Sequence, residues 1–322
     1  MVLLCVWWCS SGLVRYELVP AGQTINNCSA NSSSSIYRGA YSFSMTTHAH
    51  MLRSQRYKKL SNFDGRESSA SAVLFHVRQS FKPLPKNRRP EQLYAMMSIE
   101  SPYWCYEKME YVPDDYFNVS ITYHSASTIP VPYGQLTQIT ALTSPEEIWS
   151  AAEISERMSR KKRFALQIVS HCGAPSGRDL LTKQLHELIE LDLFGKCSGK
   201  NCDEQKCYQQ QMESHFFYLA FENTVCSEYV TEKFWNALRS LTVPVVLCRE
   251  VVRESGIPDD LYIAADDFDN ATALADHLKA LHKDKDRYLG SVFNEQKGIS
   301  IGQNSSEAMG ANCEDFRLLS AV

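Results

Sequence analysis

The chain has 322 residues, 44% of them hydrophobic and 22% charged, an ordinary balance for a soluble globular protein and enough length for two domains. A formal net charge of -4 gives no footprint for a polyanion, so a nucleic-acid partner is not indicated. Two basic runs, at 86–89 and 160–163, are local exceptions that read as solvated loop or linker.

Eleven cysteines accompany Asn-X-Ser/Thr acceptors at Asn27, Asn31, Asn118, Asn270 and Asn304, a pairing that points to a secretory lumen. Cys197, Cys202 and Cys207 are evenly spaced, but no C-x-x-C pair or histidine partner completes a zinc site, so a disulfide within that loop is expected.

Residues 1–14 are apolar apart from two serines and a glycine, which is short of the about 20 apolar residues that a membrane-spanning helix needs. From 15 to 71 the chain is rich in Ser, Asn and Gly with little apolar periodicity, and reads as a stem or irregular tail. The character changes at Ala72. AVLFHV, then 93–99, then 119–123 are buried-strand runs, so 72–158 is expected to form a first α/β domain closed by a linking helix at 145–158.

Glu100 ends the second of these strands in Ser98-Ile99-Glu100-Ser101-Pro102, where Pro102 turns the chain and leaves a carboxylate at a strand tip. Such a group, among apolar neighbours such as Tyr94, Met96, Met97, Tyr103 and Trp104, suits a general base; a capping glutamate fits the same residues.

A second domain is expected over 159–298. FALQIVS is a strand, followed by the turn HCGAPSG and a helix from 178 to 189 with Leu181, Leu185 and Leu188 on one face. Arg178 starts that helix, where a guanidinium grips a diphosphate or simply pairs with Asp179 or Glu187. LDLFGKCSG is the next strand and turn.

The richest stretch is FFYLAFENTVCSEYVTEKFWNALRSLTVPVVL at 216–247, which reads as strand, helix, strand. Ser227 is the expected N-cap, with Glu228 in the first turn and Phe234, Trp235, Leu238 and Leu241 at helical spacing. A crossover of this length joins parallel strands, and ligands bind beyond the carboxyl ends of such strands. Glu222 and Asn223 end the first strand there, while Tyr229, Thr231, Glu232 and Lys233 occupy the opening of the helix, where an anion is favoured. Glu232 is placed for ribose hydroxyls and Lys233 for phosphate; a solvated Glu-Lys pair on a surface helix fits equally well.

Further on come a strand at 261–264 and a helix at 272–282, preceded by Asp267-Phe268-Asp269, a D-x-D that reads as helix capping rather than as a metal site. The tail, 299–322, is uninformative apart from Cys313.

These motifs resemble the α-1,3/4-fucosyltransferases, glycosyltransferase family 10 of the eukaryotic Golgi type, from about Ala72 to Asn294. FENT...EYVTEKFWNAL...VPVVL is similar to the family's FENS...DYVTEKFxxxL...VPVVxG, with Cys248 where a glycine is usual and Glu228 where an aspartate is common. VSHCGAPSGR resembles VSNCxxxxxR, with His171 replacing the usual Asn. YFNVSITYHSASTIPVPYG resembles FNWTMxYRxDSDxxxPYG, but Ser125, Ala126 and Ser127 stand at its acidic positions, which bears on acceptor contacts.

The resemblance implies a GT-B fold, two Rossmann-like α/β domains facing a cleft, and transfer of L-fucose from GDP-fucose to O3 or O4 of an N-acetylglucosamine in a glycan. It implies Glu100 as catalytic base, and Arg178, Glu222, Asn223, Tyr229, Glu232 and Lys233 as donor-binding residues. No metal is required, and a divalent ion would at most stimulate. It also implies a type II single-pass Golgi protein with a lumenal catalytic domain, so 1–14 reads as a truncated signal anchor. A catalytically silent glycan- or nucleotide-binding relative is the alternative.

Overall fold

The computed structural model describes residues 72–77, 84–85, 87–142, 148–292 and 299–301, together with the backbone of two N-terminal strands. Those strands, β1 (Val2–Trp8) and β2 (Val14–Pro20), pair antiparallel. No helix among the described residues is long and apolar enough to cross a membrane. Most of the expected stem and tail, including Cys313, lies outside the described residues.

The described residues fall into two compact units that divide between Pro132 and Tyr133. The first is a four-stranded parallel sheet in the order β3 (Ala72–His76), β4 (Leu93–Ser98), β5 (Val119–Thr122) and β6 (Ile129–Pro130). Val73, Phe75 and Tyr94 form its core, with Phe75 and Tyr94 tilted at 5.0 Å and Tyr116 and Phe117 closing edge-on. Arg88 lies over the Tyr94 ring and donates to the Tyr116 carbonyl at 2.6 Å. After β4 the chain enters helix α1 (Pro102–Met109), with Ser101 as N-cap residue and Pro102 in the first turn, where its missing N–H has no partner to lose.

The second unit begins with β7 (Leu136–Gln138) and α2 (Ala151–Arg160), whose Ser150 and Glu153 form a reciprocal capping box. A helix over 145–158 was expected to close the first domain and link it to the second. It packs Ile154 into the core of the second unit instead, so the boundary falls earlier in the chain.

A five-stranded parallel sheet follows, in the order β12-β11-β10-β8-β9. Its strands are β8 (Arg163–Ile168), β9 (Leu191–Phe194), β10 (His215–Leu219), β11 (Val243–Val246) and β12 (Ile263–Ala264). The helices between and after them are α3 (Arg178–Leu188), α4 (Gln205–Ser214), α5 (Glu232–Arg239), α6 (Arg249–Glu254), α7 (Ala271–Lys283) and α8 (Lys285–Val292). A final strand, β13 (Ile299–Ile301), pairs antiparallel with β7.

The sheet carries apolar side chains on both faces, as a parallel sheet covered by helices requires. Phe217, Leu219, Val243 and Val245 pack with Leu274 and Leu278 of α7 on one face. Leu166, Tyr218 and Val246 pack with Phe234, Trp235 and Leu238 of α5 on the other.

Beneath the amino ends of β10 and β11 lies Lys161. Its ammonium donates to the His215 carbonyl at 2.8 Å, the Ser240 carbonyl at 3.0 Å and Thr242 Oγ1 at 2.7 Å. Burial lowers its pKa to about 7.

Candidate functional site

The strand order reverses at β8. From there β9 lies to one side, while β10, β11 and β12 build out on the other. The carboxyl ends of β8 and β10 therefore border a topological switch point, the place where open α/β sheets bind ligands. Two loops meet there, residues 169–177 leading to α3 and residues 220–231 leading to α5.

Several bonds hold the loops together. Ser176 Oγ donates to the Glu222 carbonyl at 2.7 Å, and Ser176 N–H to the Asn223 carbonyl at 3.2 Å. Gly177 takes φ 75, a left-handed conformation that glycine adopts without strain, just before α3 begins. Asp179 Oδ2 accepts the N–H groups of Gly173 at 2.6 Å and Ala174 at 3.3 Å. A disulfide joins Cys172 to Cys197 in the turn after β9, and a second joins Cys202 to Cys207. The expected bridge within the 197–207 loop is thus the Cys202–Cys207 pair, while Cys197 reaches back to the first loop. That reach depends on Gly195, at φ 94, where a Cβ would fall 2.3 Å from the Val169 carbonyl oxygen.

Arg178 is 2% exposed. Its guanidinium donates to the Phe221 carbonyl at 3.0 Å and the His171 carbonyl at 2.5 Å, one acceptor from each loop. Nε lies 3.8 Å from Asp179 Oδ1 and has no hydrogen-bond partner. Burial lowers the pKa of Arg178, with Asp179 and Glu222 acting in the opposite sense.

Glu222 Oε1 accepts from Thr231 N–H at 2.9 Å and from the Thr231 hydroxyl at 2.7 Å. Lys233 Nζ donates to Thr231 Oγ1 at 2.9 Å and Glu232 Oε1 at 3.1 Å, and pairs with Glu222 Oε2 at 3.1 Å. One ammonium thus lies between two carboxylates. Burial raises the pKa of Glu222. Burial opposes charge on Glu232 and Lys233 as well, but their mutual attraction prevails: Glu232 is held below the usual carboxylate range, and Lys233 above the usual amine range.

The helix does not start where the sequence suggests. Ser227 is not its N-cap; the chain turns at Glu228, whose φ of 56 is left-handed, and Thr231 stands at the cap of α5. Glu232 and Lys233 occupy the first helical turn, while Tyr229 lies in the loop before it. Tyr229 is buried, with the Tyr133 ring edge-on at 6.4 Å.

Beside these groups, between the ends of β10 and β11, a small pocket opens to solvent. Glu222, Tyr229, Phe234, Val246, Cys248 and Val252 line it, so Cys248, which replaces the family's usual glycine, faces the pocket.

Five of the six expected donor-site residues, Arg178, Glu222, Asn223, Glu232 and Lys233, are connected by this network, and Tyr229 borders its pocket. Sequence reasoning overlooked Ser176, saw Asp179 only as a partner for Arg178 and not as the acceptor that fixes the first loop, and gave Thr231 no role although it anchors Glu222 and Lys233 together. Asp179 beside Arg178 in a first helical turn was the legible signal. The D-x-D segment is not a cap: Asp267 is clasped by the Arg249 guanidinium, with Nε at 2.8 Å, and Asn270 caps α7 by accepting Ala273 N–H at 3.0 Å. No cluster of metal-ligating side chains occurs among the described residues.

Glu100 belongs to the first unit. It is half-buried just past β4, where its N–H donates to Ser98 Oγ at 3.2 Å, and Ser98 Oγ also contacts Cys105 Sγ of α1 at 3.0 Å. Of its expected apolar neighbours, Tyr94 is core and Tyr103 points outward at 57% exposure.

A parallel α/β sheet with two loops joined by a buried arginine and a Glu-Lys-Glu cluster at its switch point is an architecture that binds ligands there. The chain belongs to glycosyltransferase family 10: residues 158–317 match the family model "Glycosyltransferase family 10 (fucosyltransferase) C-term", and residues 3–134 match "Fucosyltransferase, N-terminal". It is 31% identical over 269 residues to alpha-(1,3)-fucosyltransferase fut-6 of Caenorhabditis elegans, covering 78% of this chain and 66% of that protein. It is 35% identical over 229 residues to 4-galactosyl-N-acetylglucosaminide 3-alpha-L-fucosyltransferase FUT6 of Homo sapiens, covering 68% of this chain and 60% of that one. The chain therefore spans about three fifths to two thirds of these relatives. A crystal structure of an alpha1,3-fucosyltransferase with GDP-fucose superposes with a TM-score of 0.51 at 18% identity over 78% of each chain, a likeness of fold.

Proposed function

We propose that the chain is an inverting fucosyltransferase, moving L-fucose from GDP-fucose to O3 or O4 of an N-acetylglucosamine in a glycoprotein or glycolipid glycan. The observation that carries this is the joining of Arg178, Glu222, Glu232 and Lys233 at one switch point, in a chain of glycosyltransferase family 10.

Transfer with inversion is a single displacement. Glu100 takes the proton from the acceptor hydroxyl, whose oxygen bonds to the fucose anomeric carbon as the bond from that carbon to the diphosphate breaks; the electron pair leaves on GDP. The donor site must then stabilise a developing diphosphate charge. Lys233 supplies a fixed positive charge, and Glu232, the more exposed of its two carboxylate partners at 36% against 12%, is free to turn toward ribose hydroxyls as the ammonium turns toward phosphate. Arg178 contributes its charge from below while holding the two loops in place. Asn223 and Tyr229 line the same site. These groups supply cationic stabilisation without a metal, so transfer is expected to persist in EDTA.

The two disulfides and the animal relatives support a secretory-pathway enzyme, and we place its catalytic part in the Golgi lumen.

The test is transfer of labelled fucose from GDP-fucose to an array of N-acetylglucosamine-containing glycans, with and without EDTA. Transfer to one acceptor class supports the assignment. GDP binding with no transfer to any glycan would instead favour a silent relative, a reading to which Ser125, Ala126 and Ser127 at the family's acidic positions lend weight.

A further inference from the structure

We infer that Tyr103 and Tyr106 form a stacking platform for the acceptor sugar, a recognition element beside Glu100. This rests on the transferase reading above and adds the residues that hold the acceptor.

A singly exposed apolar residue is ordinary, but neighbouring ones that form a patch are informative, and among the described residues the aromatic side chains left strongly exposed are Tyr103, at 57%, and Tyr106, at 71%. Both lie on α1, within six residues of Glu100. Three residues apart on a helix, they share one face.

Other residues of α1 fix the helix against the sheet. Cys105 Sγ meets Ser98 Oγ, the atom that also accepts the Glu100 N–H, and Met109 packs against the core of Val73, Phe75 and Tyr94. Tyr103 is further steadied by Trp104, edge-on at 5.0 Å. The serine that orients the peptide of the proposed base therefore also sets the rotation of the helix that presents the two rings.

The chemistry of the face selects its occupant. Pyranose rings carry patches of C–H on one side and hydroxyls at their rims, which suits a π face with a phenol at its edge. A wholly apolar partner would leave those phenols unmatched. A galactose- or N-acetylglucosamine-containing oligosaccharide uses both, and it is the class of molecule whose hydroxyl must reach Glu100.

Tyr103→Ala and Tyr106→Ala are tested in transfer to an N-acetyllactosamine acceptor, and binding of that disaccharide is followed directly by ligand-observed NMR. Each ring is expected to raise the acceptor KM about three- to tenfold, with donor KM unchanged. The phenylalanine variants should recover most of that loss, and saturation transfer to the sugar C–H protons should fall in the alanine variants. An acceptor KM within twofold of the parent in both alanine variants overturns the platform, as does phenylalanine failing to rescue. If the parent transfers fucose to nothing, the transferase reading fails, and the NMR arm still decides whether the tyrosines bind the sugar.

Discussion

Glu222 and Thr231 are joined twice, the main-chain N–H and the hydroxyl of Thr231 both donating to one carboxylate oxygen at 2.9 and 2.7 Å. The side chain that follows strand β10 thereby fixes the first turn of α5, and with it Lys233. Thr231→Val keeps the shape of this cap and removes the hydroxyl, leaving one acceptor lobe of Glu222 and one N–H of Lys233 without a partner. A loss of about 1–2 kcal/mol in unfolding free energy is expected by denaturant titration, together with weaker GDP binding.

Lys233→Ala removes the cation from the proposed diphosphate site, and GDP affinity measured calorimetrically should fall by about ten- to a hundredfold, the worth of a charged hydrogen bond. Glu100→Gln should reduce kcat by about a hundredfold or more while GDP affinity stays within about twofold. Full activity in either variant removes that residue from its role.

Lys161 gives a pH signature. Its folded pKa is lowered to about 7, beneath the unfolded value of about 10.4, so between these limits the unfolded chain binds more protons than the native one. Stability must then rise with pH across this window and level off below about 7. From pH 7 to pH 9 the parent should gain about 2 kcal/mol relative to Lys161→Met, which lacks the titrating group; parallel pH curves would refute the buried amine.

Gly134 lies against the Trp235 ring, and a Cβ there would fall 2.4 Å from a ring carbon. Gly134→Ala is expected to cost about 1–3 kcal/mol as α5 is pushed from its seat, read as a lower midpoint in thermal unfolding.

The Cys172–Cys197 bridge closes a loop across a sequence separation of 25, which in the chain-entropy account contributes about 3.5 kcal/mol. Cys172→Ser should lower the unfolding midpoint and weaken GDP binding with it, since the first donor loop loses its tether to the turn after β9.

The parallel sheet and the donor-side residues were legible because buried strands announce themselves as apolar runs: VPVV of β11 is buried throughout. Other elements carry weaker signals. Helix α4 buries only Met212 among its ten residues, so it presents no apolar stripe to read. Ser227 is a good capping residue by type, but the left-handed turn at Glu228 moves the helix start to Thr231, and no local pattern foretells that Glu222, nine residues earlier, will supply the acceptor for it. The role of Arg178 was half visible: its place at a helix start is written in the chain, whereas its two carbonyl acceptors come from segments 7 and 43 residues away.

Because Arg178 grips backbone oxygens, the side chain at one anchor point is uncoupled from the grip. Position 171 is exposed and gives Arg178 its carbonyl, an atom that every residue type carries, so that bond is available whether histidine or the asparagine of the family pattern stands there. The grip is thus indifferent in kind to the side chain at 171 and intolerant of change at the arginine, and a library randomised at 178 should retain almost none but arginine.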